Sequence, residues 1–147
     1  MHDPTKELLK MVYVGAKSGC EAITAMESKI KNEQLRRDTA AQLEAYSGYA
    51  RRAESMMNEK NITDIGFPLM NKLTVRGGVM METMGNPDDG ELARLLRVSS
   101  KESANRMRSA IADLRESGCD KDVLALAQSM MSFEIAEAEH LGTTKYE

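Results

Sequence analysis

The 147-residue sequence is poor in the residues that build β-sheets, disulfide frameworks and membrane spans. Aromatic residues make up only 4%, Trp is absent, and Pro occurs three times. Two Cys and two His are too few for most Cys- or His-rich metal sites. No apolar run approaches the ~20 residues of a membrane-spanning helix, and no signal-peptide pattern opens the chain. We therefore expect a cytoplasmic protein with reduced thiols and no membrane partner.

An excess of charge of one sign is also lacking. Twenty basic residues stand against 23 acidic ones, which gives a net charge of -3. This balance provides no overall attraction for a polyanion, so no nucleic-acid partner is expected. The residues that dominate are Ala, Leu, Met, Glu, Lys and Arg, which are strong helix formers. The composition therefore predicts an all-α fold.

Apolar and small residues recur in alternating steps of three and four, which is the pattern of helices packed in a bundle. Asp3 and Pro4 form a cap and a first turn for the first helix, as do Asn86 and Pro87 for a later one. The chain is predicted to be one domain, 1–147, with helices over about 4–30, 33–57, 68–84, 87–116 and 120–141. The long helices form two antiparallel hairpins, and a long crossover that contains the short helix over 68–84 joins them into a four-helix bundle.

One carboxylate interrupts the apolar face of the last predicted helix. At ~100° per residue, Glu134 falls in the middle of that face and Glu137 at its edge. An unpaired charge there is costly, so Glu134 should be hydrogen-bonded, protonated, metal-bound or open to a cavity. The middle layer looks underfilled and partly polar, because small residues such as Gly19 lie level with it. The candidates for a buried polar layer or small-ligand pocket are Glu134, Glu137, Tyr46, Gln42, Tyr49 and Ser103.

Two interpretations of this layer remain open. In the first, a hydroxyl of Tyr46 or Tyr49, or the Gln42 amide, donates to Glu134, and the network fixes the register of the helices. This interpretation predicts no catalytic residue and no cofactor. In the second, Glu134 and Glu137 line an internal pocket that holds a metal ion or a small ligand.

The four helices with a long crossover, and the segment 137–140 (Glu-Ala-Glu-His), resemble the ferritin-like superfamily, which includes rubrerythrin-type di-iron proteins. Members with an intact centre supply one Glu from each of two helices and a Glu-x-x-His motif from each of the other two. Glu137 and His140 match one such motif. The second predicted helix offers Glu44 with Ser47 three residues later, so the other motif is missing. The resemblance implies a branch that lacks a complete di-iron ligand set.

Such a resemblance implies a fold more directly than an activity. We expect a non-catalytic, ferritin-like helical bundle that self-associates and has a buried polar layer or a small-ligand pocket around Glu134. The alternative is a divergent metal-carboxylate oxidoreductase in which Glu134, Glu137 and His140 hold iron or manganese.

Methionines are concentrated in the predicted crossover helix, where Met80, Met81 and Met84 follow Gly77 and Gly78. This helix has more apolar positions than a helix that lies on one face of a bundle needs. An exposed apolar strip of this kind predicts a homodimer interface. A further alternative is a helical adaptor that binds a partner protein through the same Met-rich crossover.

Overall fold

The computed structural model describes residues 3–63 and 85–146. These two stretches contain helices and no strand, which confirms the predicted all-α class. The elements are α1 (Pro4–Met26), a 3-10 turn (Glu27–Lys29), α2 (Glu33–Glu59), α3 (Asp89–Arg115) and α4 (Lys121–Thr143). The short helix predicted over 68–84, with its methionines, lies outside the described residues.

Side-chain caps set the starts of the first two helices. The Asp3 carboxylate accepts a hydrogen bond from the backbone N–H of Lys6 at 3.2 Å, as its position before Pro4 predicts. Asn32 caps α2 in the same way, because its side-chain oxygen accepts from the backbone N–H of Leu35 at 3.0 Å. The helix predicted over 4–30 is divided near its end, where α1 gives way to the 3-10 turn.

The third and fourth helices differ slightly from their predicted bounds. α3 begins two residues later than predicted, because Asp88 rather than Asn86 is its cap. The Asp88 carboxylate accepts from the backbone N–H of Glu91 at 2.8 Å, and this leaves Pro87 outside the helix. α4 extends two residues beyond the predicted 141.

One hydrophobic core runs through the bundle and receives side chains from all four helices. Its fully buried members include Leu8, Leu9, Val12, Leu35, Ala53, Leu92, Val123, Ala127 and Met130. α3 presents a somewhat different face from the predicted one. It buries Ser100, Ala104 and Ile111 but leaves Ser103 and Ala110 half-buried, because α3 packs against both α1 and α4. Ser103 therefore lies at the margin of the core.

The first end of the bundle joins α1, α2 and α4. Just after α2, the Lys60 ammonium lies 2.9 Å from the Asp120 carboxylate and 3.1 Å from that of Asp122, at the start of α4. The backbone N–H of Asp120 donates to the Thr5 hydroxyl in the first turn of α1 at 3.0 Å. The end of α2 is thus anchored beside the beginnings of α1 and α4.

The second end joins α3 to the turn between α1 and α2. The Asp89 carboxylate accepts hydrogen bonds from the backbone N–H groups of Lys31 and Asn32, at 2.9 and 3.2 Å. In addition, the Lys29 ammonium donates to the Gly85 carbonyl at 3.2 Å. α3 therefore begins at the end of the bundle opposite to the one where α2 finishes.

Neither described cysteine is in a disulfide: Cys20 is half-buried and Cys119 is buried. The Cys20 sulfur lies 3.5 Å from the Ser47 hydroxyl on α2. Burial raises the pKa of the Cys119 thiol, which favours its neutral form. Among the described helices, none combines the length and the apolar character that crossing a membrane requires.

Candidate functional site

α2 and α4 run antiparallel and meet through four successive polar pairs, which we call the polar seam. The four α2 members are spaced by three or four residues, so they share one side of the helix. In order along α2 the pairs are Asp38–His140, Gln42–Glu137, Tyr46–Glu134 and Tyr49–Ser129. Five of the six predicted candidates belong to this seam.

Glu134 lies at the centre of the polar seam and is only 1% exposed. Its Oε2 accepts a hydrogen bond from the Tyr46 hydroxyl at 2.9 Å. Its Oε1 is also buried and has no hydrogen-bond partner among the residues that the structure describes. The carboxyl group is therefore stabilised on one oxygen and left unsatisfied on the other.

Burial raises the pKa of Glu134, and this effect exceeds the opposing effects of its neighbours. The hydroxyls of Ser103 and Tyr46 and the more distant Arg106 guanidinium each favour the charged form. The Ser103 hydroxyl does so without giving Oε1 a hydrogen-bond partner. A neutral Glu134 would carry a proton that can donate from the unsatisfied side.

Tyr46 fills the middle layer of the bundle, which the sequence pattern predicted to be underfilled. Its ring meets that of Phe133 edge to face, with 5.2 Å between the ring centroids. A Cβ placed on Gly19 would lie only 2.7 Å from the Tyr46 ring. The space left by this glycine on α1 is thus occupied by a tyrosine from α2, which corrects the prediction of an underfilled layer.

Gln42 and Tyr49 hydrogen-bond to residues of α4 other than Glu134. Gln42 donates through its amide nitrogen to Glu137 Oε2 at 3.0 Å. The Tyr49 hydroxyl lies 2.8 Å from the Ser129 hydroxyl. Of the three possible donors to Glu134 that the sequence indicated, Tyr46 is the one that the structure places there.

Asp38 is a member of the polar seam that sequence reasoning missed. Its Oδ2 accepts from the Tyr146 hydroxyl at 2.7 Å and lies 2.9 Å from His140 Nε2, while its Oδ1 accepts from Gln34 at 2.9 Å. Burial acts to raise the pKa of Asp38, but these three hydrogen bonds together lower it. The one available signal was its position four residues before Gln42 on the same side of α2.

The residues of the alternative metal site do not converge. Glu134, Glu137 and His140 each pair with a different residue of α2. Glu44, which would stand in place of the missing motif, is exposed. Across residues 3–63 and 85–146, no three His, Cys, Asp or Glu side chains are grouped closely enough to hold a metal ion. This arrangement does not fit a di-iron centre.

Two cavities of about 470 Å³ each open on the described surface. One lies between α1 and α3, beside Met11 and Arg106, and the other lies beside the α1–α2 turn, near Ile30 and Arg36. Neither is lined by a residue of the polar seam. The hydrogen-bonded interpretation requires a donor beside Glu134, and the Tyr46 hydroxyl is that donor.

No protein-family model, curated protein sequence or solved structure matches this chain. The ferritin-like resemblance accordingly remains a prediction from the helix pattern and the Glu137–His140 motif.

Proposed function

We propose that this protein is a non-catalytic, ferritin-like helical bundle that self-associates, and that the polar seam holds α2 and α4 in one register. The observation that carries the proposal is that Gln42, Tyr46 and Tyr49 each hydrogen-bond to a residue of α4. A catalytic or ligand site usually presents polar groups to a concave space. Here the polar groups are directed at each other across a helix interface.

Hydrogen-bonded pairs between two helices control their register, that is, the position of α2 along α4. The apolar faces of the bundle are rich in Leu, Ala and Met, which repack readily when helices slide. A slide of α2 along α4 by one turn, about 5.4 Å, would separate all four polar pairs at once. A change of register therefore has to break the hydrogen bond between Tyr46 and the buried Glu134 carboxyl group, together with the three neighbouring pairs.

The ferritin-like part of the proposal is supported by the order in which the helices meet. Both hairpins are antiparallel, and α2 finishes at the opposite end of the bundle from the start of α3. A chain connecting these two points has to travel the length of the bundle, as the crossover of ferritin-like folds does.

The self-association part rests on the apolar strip predicted from Met80, Met81 and Met84 in the crossover. A dimer would remove this strip from water. A cytoplasmic location belongs to the same proposal, since Cys20 and Cys119 are free thiols and reducing compartments keep thiols in this state.

The test compares the variants Glu134→Gln and Glu134→Leu with the parent protein. We expect Glu134→Gln to be tolerated and Glu134→Leu to be neutral or stabilising in urea unfolding, because a buried polar group that only specifies register is replaceable by an apolar one. Light scattering after size exclusion should give a dimer for all three proteins.

Two results would contradict the proposal. The first is a large loss of stability in both variants, which would indicate a charged role for Glu134. The second is near-stoichiometric iron or manganese in protein grown with these metals, lost on Glu134→Ala, which would favour the oxidoreductase alternative.

A further inference from the structure

Charged residues of alternating sign follow one exposed line along the outer side of α2. The line runs through Arg37, Glu44 and Arg51 at intervals of seven and ends at Glu59, eight residues further on. All four side chains are exposed to solvent. At ~100° per residue they lie within an arc of roughly 80°, and they span about 33 Å along the helix. We call these four residues the alternating line.

The positions between the charges carry short side chains. Ala41, Gly48 and Ser55 repeat at the same interval of seven, and each lies about one helical turn from the charged residues on either side of it. A Cβ added to Gly48 would have an Arg51 nitrogen as its nearest neighbour, at 4.0 Å. The backbone of α2 is therefore accessible to a second helix between the charges.

The basic members of the alternating line are not neutralised by their neighbours on α2. Glu33 lies four residues before Arg37, and Glu54 lies three residues after Arg51. Opposite charges at these spacings can pair. Within residues 3–63 and 85–146, however, none of these four side chains forms a salt bridge. Arg37 donates instead to the Gln34 side chain at 3.1 Å.

Glu44 lies near the middle of the alternating line and has no opposite charge within reach along α2. The residues three and four positions away on either side are all uncharged, namely Ala40, Ala41, Ser47 and Gly48. Ion pairing within this helix therefore cannot account for an acid at this position.

The order of charges on the alternating line is complementary to its own reverse. Glu44 and Arg51 are centred on positions 47 and 48, and so are Arg37 and Glu59. If two α2 helices lie antiparallel about a two-fold axis beside Gly48, Glu44 is level with the partner's Arg51, and Arg37 is level with the partner's Glu59. The symmetry repeats each pair on the other side of the axis. In a parallel arrangement each charge would instead meet its own copy.

We propose that the alternating line is a contact surface between two copies of this chain, which pack with their α2 helices antiparallel about an axis beside Gly48. This inference rests on the self-association proposed above and gives it a surface on a described helix. A second copy is the occupant that the pattern selects, because it supplies an opposite charge at every charged position of the line. A partner of another sequence would not require the line to be self-complementary.

The first test reverses each central charge and then exchanges the two. Glu44→Arg brings positive charges together on both sides of the axis, and Arg51→Glu does the same with negative charges. Analytical ultracentrifugation in low salt should give each single variant a dimer dissociation constant at least tenfold higher than that of the parent protein. The double variant Glu44→Arg with Arg51→Glu only exchanges the partners, so its dissociation constant should return to within about threefold of the parent value.

The second test mixes the two single variants. Each of them supplies the charges that the other lacks at both sides of the axis. Glu44→Arg and Arg51→Glu should therefore form a mixed dimer at least tenfold more tightly than either variant dimerises with itself. A change confined to one helix could not produce this rescue.

Matched charge reversals on α3 are the control. Glu102→Arg and Arg108→Glu change the net charge by the same amounts at exposed positions outside the alternating line. Each should alter the dissociation constant less than twofold. Circular dichroism should show that all the variants remain folded, because the substituted residues are exposed.

The outcomes separate this inference from the self-association on which it rests. Equal effects of the α2 and α3 reversals, or a failure of both the double variant and the mixture to restore the dimer, would overturn the α2 surface while the dimer itself stands. A parent protein that is monomeric at every concentration would overturn both. The register role of the polar seam is tested separately by the Glu134 variants.

Discussion

At the scale of single residues, Glu134 has two oxygens in different environments. Oε2 receives the Tyr46 hydroxyl, whereas Oε1 is buried without a partner in the described part of the chain. Ionised carboxylates only accept hydrogen bonds, so an ionised Glu134 leaves Oε1 desolvated. Protonation removes the charge and supplies a donor. The folded protein therefore favours the neutral acid, which agrees with the raised pKa.

A pH dependence of stability follows from Glu134. Its pKa is raised in the folded protein above the ordinary glutamate value of 4.5. As pH rises through that value the unfolded chain releases this proton first, so the free energy of unfolding should decrease until the folded pKa is passed. Urea unfolding between pH 4 and pH 8 should show this decrease in the parent protein and a smaller one in Glu134→Gln, which has no proton to release. Parallel curves would show that Glu134 ionises normally.

The polar residues differed in how far the sequence could reveal them. Glu134 was identifiable because it interrupts an apolar stripe, a pattern contained within one helix. Asp38 and Ser129 do not interrupt an apolar stripe. Polar residues on the outer part of a helix are common whether or not they have hydrogen-bond partners. Their roles depend on which side of α2 faces α4, and local sequence does not carry that information.

At the scale of helices, the contact between α1 and α2 explains a glycine that helix propensity disfavours. A glycine inside a helix is less stable than alanine by about 0.5–1 kcal/mol. Gly19 nevertheless lies in the middle of α1, where the Tyr46 ring approaches its backbone. The same ring carries the hydroxyl that reaches Glu134. The absence of a Cβ at Gly19 therefore lets α1 and α2 approach closely and lets the Tyr46 hydroxyl reach Glu134.

Replacing this glycine tests the contact. Gly19→Ala would place a Cβ 2.7 Å from the Tyr46 ring, so we expect a loss of about 1–3 kcal/mol of stability in spite of the gain in helix propensity. The control is Gly48→Ala on α2, where the nearest atom to an added Cβ is an Arg51 nitrogen at 4.0 Å. There we expect a gain of about 0.5–1 kcal/mol. Equal stabilisation of both variants in thermal unfolding would show that Tyr46 moves aside without penalty.

At the scale of the whole molecule, contacts between residues far apart in sequence tie the two hairpins together. Lys60 and Thr5 hold the start of α4 at one end of the bundle. Asp89 binds the turn between α1 and α2 at the other end, 57 or more residues away along the chain. Together with the polar seam, these contacts define the relative position of the hairpins at both ends and in the middle.

Asp89 gives a test at this scale. Asp89→Ala removes the acceptor for the Lys31 and Asn32 backbone N–H groups, and we expect a loss of about 1 kcal/mol, since both bonds are partly accessible to solvent. Glu91→Ala is the control, because it also removes an acidic side chain from the first turn of α3. Both variants therefore lose a similar favourable interaction between a negative charge and the helix dipole. The two variants are compared by urea unfolding. If the two variants lose the same free energy of unfolding, Asp89 contributes only through its charge in the first turn of α3, and not through its hydrogen bonds to Lys31 and Asn32.

The sequence by itself determined the helical class, the approximate bounds of the four described helices and the unusual position of Glu134. These depend on propensity, capping and periodicity, which act over a few residues. Tertiary structure alone decided that Tyr46 rather than Tyr49 or Gln42 donates to Glu134, that Glu137 and His140 pair with α2, and that Ser103 lies at the margin of the core. The rotation and register of helices from distant parts of the chain select these partners, and a shift of one residue turns a helix by ~100° and exchanges every contact.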